Sequence, residues 1–298
     1  MLKILTDNAS DIPLSTIEKY KIEVLPIAIM DGENEYFIGE NINTEKLIDN
    51  MKNGVVYKTS QVTRALIYLT FEKFVKEGFD VIYLPLSSGI SGTFDNALGA
   101  RNDILEKYPK ANIAVIDSKS ATMGQGIITI KAAMMASKGM EFNKIVEKIE
   151  YIVKTQVHLF TVGNLEYLYR GGRLSKTSKV LGGLLNIMPL LFIEREEGKI
   201  IPIDKARGKK AFFKILQKNI NNLSKNNKFD PNQSIVICPA DWDEMAKDVK
   251  RFFIENMNVS EENIHIEELG CIITSHTGPE TLTLFFSSDP GEENIIEM

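Results

Sequence analysis

The sequence predicts an α/β protein of two domains, a mostly parallel N-terminal sheet flanked by helices over residues 1–155 and a C-terminal α+β domain over residues 156–298. Three observations carry this reading. Short apolar runs alternate with helix-patterned segments through the first half, which is the rhythm of βαβ units. Those runs are continuously apolar rather than alternating, as strands covered on both faces of a parallel sheet are. A chain of 298 residues also supplies about two domains, at roughly 150 residues each.

Taken in order, residues 2–6, 24–30, 81–86 and 113–116 read as strands, with helical patterns after most of them. Residues 33–39, where Tyr36 and Phe37 sit among acidic neighbours, read as a hairpin arm, and residues 43–53 as a helix capped by Asn43 or Thr44. Ile145, Ile149 and Ile152 recur at helical spacing, and the strand HLFTV then restarts the pattern, so the boundary falls near Thr155. The second half reads as a helix broken at Gly171 and Gly172, then a helix through Leu184. Two strands, 189–195 and 199–206, follow around the turn EEGK, and after them a basic helix. Strand SIVICPA, an amphipathic helix over 241–256, a strand over 264–267 and an apolar run over 281–286 complete the layer.

Composition narrows the function. A net charge of -5 and a pI near 5.5 oppose binding to a nucleic-acid backbone. Cys238 and Cys271 are too few for a disulfide framework, and both sit in apolar runs that suit a reducing compartment. The opening MLKILTDNASD lacks the long apolar core of a signal peptide, and no window approaches about 18 apolar residues; a cytoplasmic protein without a membrane span is expected. The P-loop pattern, H-E-x-x-H and C-x-x-C are missing, and Gly124-Gln-Gly126 lacks the third glycine of a dinucleotide fingerprint. His158, His265 and His276 stand apart in sequence, so no metal site is expected.

Three hydroxyl-rich clusters remain. Ser87-Ser-Gly-Ile-Ser-Gly-Thr93 follows an apolar strand and leads into a helix. Its glycines let backbone N–H groups approach a ligand, the helix start favours negative charge, and Ser91 and Thr93 add donors: the pattern of an anion site. A helix cap accounts for Ser91 or Thr93 taken singly. Thr59-Ser60-Gln61 is the second cluster, readable also as the cap of the next helix, and Thr274-Ser-His-Thr-Gly-Pro279 is the third. Ser91 on a strand-to-helix turn, with His276 downstream, also fits a serine esterase or thioesterase, although Thr93 stands where the nucleophile elbow has glycine. Arg170, Arg173, Lys176 and Lys179 form one basic run and Lys205 to Lys210 another, fit for a solvated helix face or an anionic partner.

In this order the motifs TDNASDIP, KTSQVT, LPLSSGISGTF, IDSKSATMGQG, LEYLYRGGRLS, DKARGKKA and SHTGP resemble the DegV family across essentially the whole chain. The resemblance implies the two-domain DegV-like fold with a long-chain fatty acid, of the palmitate class, between the domains. It implies a bacterial, non-catalytic subunit that needs no cofactor and presents the acid to a separate ATP-dependent fatty acid kinase, for acyl phosphate and phospholipid synthesis. The same likeness places the carboxylate at Thr59 and Ser91, with Ser60, Gly92, Thr93 and His276 around it. Arg170, Arg173 and Arg207 match the basic motifs of the mouth and of the kinase encounter. Contact with a membrane would be transient. A lipid-binding regulatory module without a kinase partner is the third reading. The chain departs from the family pattern at Glu280, where glycine is usual, and at Ile38, Val62 and Met188, where Asp, Pro and Lys are common; residues around Leu184 and Leu185 would tune chain length.

Overall fold

The structure, a computed structural model, describes residues 1–174 and 187–291. The helix expected through Leu184, with Lys176, Lys179 and Leu185, lies outside the described residues. The first half runs β1 (Leu2–Asp7), α1 (Leu14–Tyr20), β2 (Glu23–Leu25), β3 (Ile29–Asp31), β4 (Asn34–Tyr36), α2 (Thr44–Lys52) and β5 (Lys58–Thr59). It continues with α3 (Arg64–Lys76), β6 (Asp80–Leu84), α4 (Thr93–Lys107), β7 (Ile113–Val115), α5 (Thr122–Ser137) and α6 (Phe142–Thr155). Strands β2, β1, β6 and β7 form a four-stranded sheet in that order, every pairing parallel. Helix α5 packs on β1 and is buried nearly all round, which is why Ile127, Ile128, Ile130 and Ala133 leave it no polar face.

The run expected as one strand over 24–30 is two. Pro26 offers no N–H to a ladder. Asn8 takes over at the next residue, its Oδ1 accepting from the Ile27 N–H at 2.9 Å and its Nδ2 donating to the Ile27 carbonyl at 3.2 Å. Strand β2 therefore stays in the parallel sheet, while β3 leaves to form a small antiparallel sheet with β4 and β5. The capping assignments also sharpen. Asn43 caps α2, accepting from the Lys46 N–H at 2.9 Å. The cap of α3 is Thr63, which accepts from the Leu66 N–H, and the Thr59-Ser60-Gln61 cluster is not its cap. Gly92 occupies the cap position of α4, and Ser91 Oγ accepts from the Thr93 N–H at 3.3 Å from one residue further back.

From Gln156 the chain builds β8 (Gln156–Val162), α7 (Glu166–Arg170), β9 (Ile187–Ile193), β10 (Ile200–Arg207) and α8 (Lys209–Leu223). Then come β11 (Ile235–Ala240), α9 (Asp243–Met257), β12 (Ile264–Ile266), α10 (Cys271–Thr277) and β13 (Thr281–Ser287). The six strands pair in the order β10, β9, β8, β13, β11, β12, antiparallel except between β11 and β12. Alternation sends Val157, Leu159, Leu282 and Leu284 toward Phe212 and Leu216 of α8 and Val249 and Phe253 of α9. The other face, with Phe160, Val162, Leu191, Ile193 and Phe285, joins the core of the first half.

Backbone and buried side chains tie the halves together. Ser87 Oγ donates to the Gly198 carbonyl at 2.9 Å, and a Cβ on Gly89 would lie 2.3 Å from Gly198 backbone, so that approach requires glycine. Within the first half, Asp7 accepts from the N–H groups of Ala9 and Leu86 and from Gln125, pinning the loop after β1 to the loop after β6. Asp11 accepts from the Gly270 N–H at 3.0 Å, at the start of α10. This helix is a feature that the β-branched run CIITSHT did not suggest; it forms where it packs on α2 and β5.

Burial pushes Asp7 up to about 6 and Asp11 up to about 7, against 3.8 for a free aspartate. The folded state therefore keeps protons that the unfolded chain gives up above about pH 4, and stability falls as pH rises from there to about 7. Residue 11 has φ 52, a conformation asparagine accepts readily, and an asparagine retains an acceptor for the Gly270 N–H. Asp11→Asn is expected to flatten this decline and to raise stability at pH 8 by on the order of 1–3 kcal/mol, read by urea unfolding across pH 4–8. An unchanged slope would refute the assignment.

Candidate functional site

A narrow cavity lined by residues of both halves lies on the seam between them. Its walls are mostly aliphatic and aromatic, including Ile27, Leu86, Ile90, Phe160, Ile193 and Ile273. Thr59, Ser60, Ser91, Arg173, His276 and Thr277 give it a polar border. A second cavity shares Thr59, Arg173 and His276 with the first and adds Tyr57, Lys58, Tyr167 and Arg170. These three shared residues form the partition between an apolar slot and a basic antechamber.

Each polar group is fixed by its own element. Thr59 ends β5, and its Oγ1 lies 2.7 Å from His276 Nε2 near the end of α10, a pair joined across 217 positions. Among the described residues His276 Nδ1 is buried without a hydrogen-bond partner. Burial, reinforced by the Arg173 charge, pushes the His276 imidazole down to about 3, so the ring is neutral at ordinary pH. Ser60 Oγ accepts from the Ala28 N–H at 2.9 Å. Ser91 Oγ lies 3.1 Å from Thr93 Oγ1, which in turn accepts from the Val62 N–H at 3.3 Å. Arg173 donates through Nε to the Ile90 carbonyl at 3.1 Å and through Nη1 to the Gly171 carbonyl at 2.6 Å. Its guanidinium is thereby held at the partition, next to the loop of Ser91.

Thus Thr59, Ser60, Ser91, His276 and Arg173 meet at one cavity, and Arg170 joins them in the antechamber. Gly92 and Thr93 stand behind Ser91 rather than in the lining, and Arg207 is exposed at the end of β10, outside both cavities. Sequence reasoning had no role for His158 and Thr283, which also line the slot from β8 and β13. The only signal was a histidine inside an apolar strand. Glu280 has φ 55, a conformation that glycine adopts most readily; His276 still reaches Thr59.

The comparisons with known proteins agree with this architecture. The family model of DegV, described as a family of uncharacterised proteins, matches residues 1–289. The chain belongs to the DegV family. A DegV domain-containing protein of Clostridium perfringens is 34% identical over 292 residues, covering 97% of this chain and 98% of its own. Among solved structures, a fatty acid binding DegV protein of Streptococcus agalactiae superposes with a TM-score of 0.84 at 27% identity, over 96% of this chain and 98% of that one. A stearic acid-binding protein of Eubacterium ventriosum superposes with a TM-score of 0.79 at 25% identity, over 96% and 98% of the two chains. The DegV motifs quoted above all lie inside the matched residues. No helix among the described residues is long and apolar enough to cross a membrane.

Gly171 allows this geometry. A Cβ there would sit 2.8 Å from His276 Nδ1, and the imidazole is packed too closely to yield freely. Gly171→Ala is expected to displace the ring and break its bond to Thr59, costing about 1–2 kcal/mol. The check is the His276 imidazole resonances in a heteronuclear NMR spectrum together with a denaturation midpoint. Unmoved resonances would contradict the packing described.

Proposed function

We propose that this protein binds a long-chain fatty acid in the seam cavity and presents its carboxylate to a separate ATP-dependent kinase subunit, which converts it to an acyl phosphate. The carrying observation is the cavity itself: a mostly apolar wall bordered by hydroxyls, a neutral imidazole and Arg173. Thr59, Ser91 and His276 hold the carboxylate in this reading, while Ser60, Gly92 and Thr93 shape the backbone around it. The relatives of S. agalactiae and E. ventriosum, named for fatty acid and stearic acid binding, support the ligand class.

The energetics suit the assignment. About fifteen methylenes at ~0.8 kcal/mol each offer on the order of 12 kcal/mol gross, before the costs of immobilisation. Neutral donors orient a carboxylate without the strong pairing a lysine would impose. An oxygen held this way keeps its nucleophilicity toward the γ-phosphorus of ATP; the new O–P bond forms as the bond to ADP breaks. Arg170 and Arg173, at the antechamber, are placed to balance charge there, and exposed Arg207 is a contact for the kinase. The hydrolase reading draws less support, because Ser91 bonds to Thr93, His276 bonds to Thr59, and burial leaves His276 a weak base.

Native mass spectrometry of the purified protein is expected to show one long-chain fatty acid per chain. Ser91→Ala should weaken that binding by ~1–3 kcal/mol, since a carboxylate oxygen loses its partner in an apolar surround. Equal affinities in a titration, or covalent labelling of Ser91 by a fluorophosphonate, would overturn the assignment. Arg207→Ala should retain the acid but lose acyl phosphate formation when a fatty acid kinase subunit and ATP are supplied. Loss of the acid with the kinase still bound, or turnover without any kinase, would refute the division of labour.

A further inference from the structure

The apolar slot contains a polar site that the carboxylate does not use. His158 sits on the cavity face of β8, four residues along the ladder from the Thr281–Val162 pair that follows α10, since it pairs with Phe285. At ~3.4 Å per residue it lies on the order of 14 Å down the strand from Thr281, on a different element from Thr59, Ser91 and His276. Its ring is wedged against Phe285, with centroids 4.5 Å apart, and against Phe160 at 5.7 Å. Nδ1 is 3.2 Å from Ser120 Oγ, and among the described residues that is the ring's one hydrogen bond. The residue lines the cavity, so Nε2 is the polar atom left to face its contents. Burial with no charged neighbour holds the imidazole neutral, pushed down to about 3. Thr283 lines the same stretch, diagonal to His158 across the β8–β13 ladder; its Oγ1 donates to the Cys238 carbonyl at 3.3 Å and keeps lone pairs as acceptors.

A plain methylene chain laid against it would leave this nitrogen desolvated and unpaired, which is unfavourable. We infer that the slot is built for a long-chain acid bearing a hydroxyl part-way along the chain, a hydroxy fatty acid, with His158 Nε2 and Thr283 Oγ1 as its partners. A hydroxyl both donates and accepts, so it satisfies His158 in either tautomer, whichever direction the Ser120 bond takes; a ketone matches only one. The aromatic walls on two sides fix the ring plane, which makes the nitrogen a directional reader rather than a mobile one. This inference rests on the fatty acid reading above and specifies which member of that class is preferred.

The test is competition binding of stearic, 10-hydroxystearic and 12-hydroxystearic acids to the delipidated protein. At least one hydroxy acid is expected to bind about ten-fold more tightly than stearic acid. His158→Leu should erase that preference, weakening the hydroxy acid and strengthening stearic acid, and Ser120→Ala, which keeps the cavity wall, should reduce it. Stearic acid bound as tightly as every hydroxy isomer in the wild type overturns the inference and leaves the fatty acid reading standing, without recourse to any variant. A preference that survives His158→Leu overturns it too. Failure of all three acids to bind overturns the fatty acid reading itself, and this inference with it.

Discussion

A six-stranded sheet whose two faces are both apolar has to be covered twice, and the rest of the molecule follows from how that is done. Helices α8 and α9 close one face with Phe212, Leu216, Val249 and Phe253. The other face is closed by α10, through Ile272 and Ile273, together with the loops of the first half that follow β1, β6 and β7. Helices pack on a sheet with a continuous stripe of side chains, whereas loops meet it through separate points. The cavity is the space those points leave, and it inherits the sheet's apolar character together with the loops' hydroxyls.

The electrostatic design at this seam is avoidance of unscreened charge. His158 and His276 are both neutral because burial disfavours the imidazolium form. Asp7 and Asp11 are held up by burial and bonded to backbone N–H groups, and they organise the loops beside the slot. The one cation at the partition, Arg173, spends two donors on the carbonyls of Ile90 and Gly171. A carboxylate bound as proposed would meet dipoles first and full charge second, from Arg173 and the more exposed Arg170.

Much of this was legible in the sequence, and what was not has physical reasons. The parallel strands could be read because burial on both faces imposes uninterrupted apolar runs, and the hydroxyl clusters because glycine and serine gather where a chain turns at a strand's end. Strand boundaries failed at Pro26, where a side chain, Asn8, substitutes for a ladder that propensity cannot foresee. Helix α10 was hidden because Ile272, Ile273 and Thr274 favour strands in isolation, and only docking reverses that preference. The Thr59–His276 bond spans 217 positions, so motifs could name the two residues without showing that they touch. His158 gave no signal beyond being a histidine in an apolar strand, since its meaning depends on Ser120, Phe285 and the cavity beside it.

The contact between Gly89 and Gly198 has one more implication. It joins the halves through bare backbone, with a serine hydroxyl and a carbonyl as its hydrogen bond. Surface pairs such as Arg64–Asp103 and Lys209–Asp248 weaken as counterions accumulate, but a junction of uncharged groups in van der Waals contact does not. This junction of the seam is accordingly screened far less by salt than ion pairs that join the halves elsewhere, such as Lys52–Asp241.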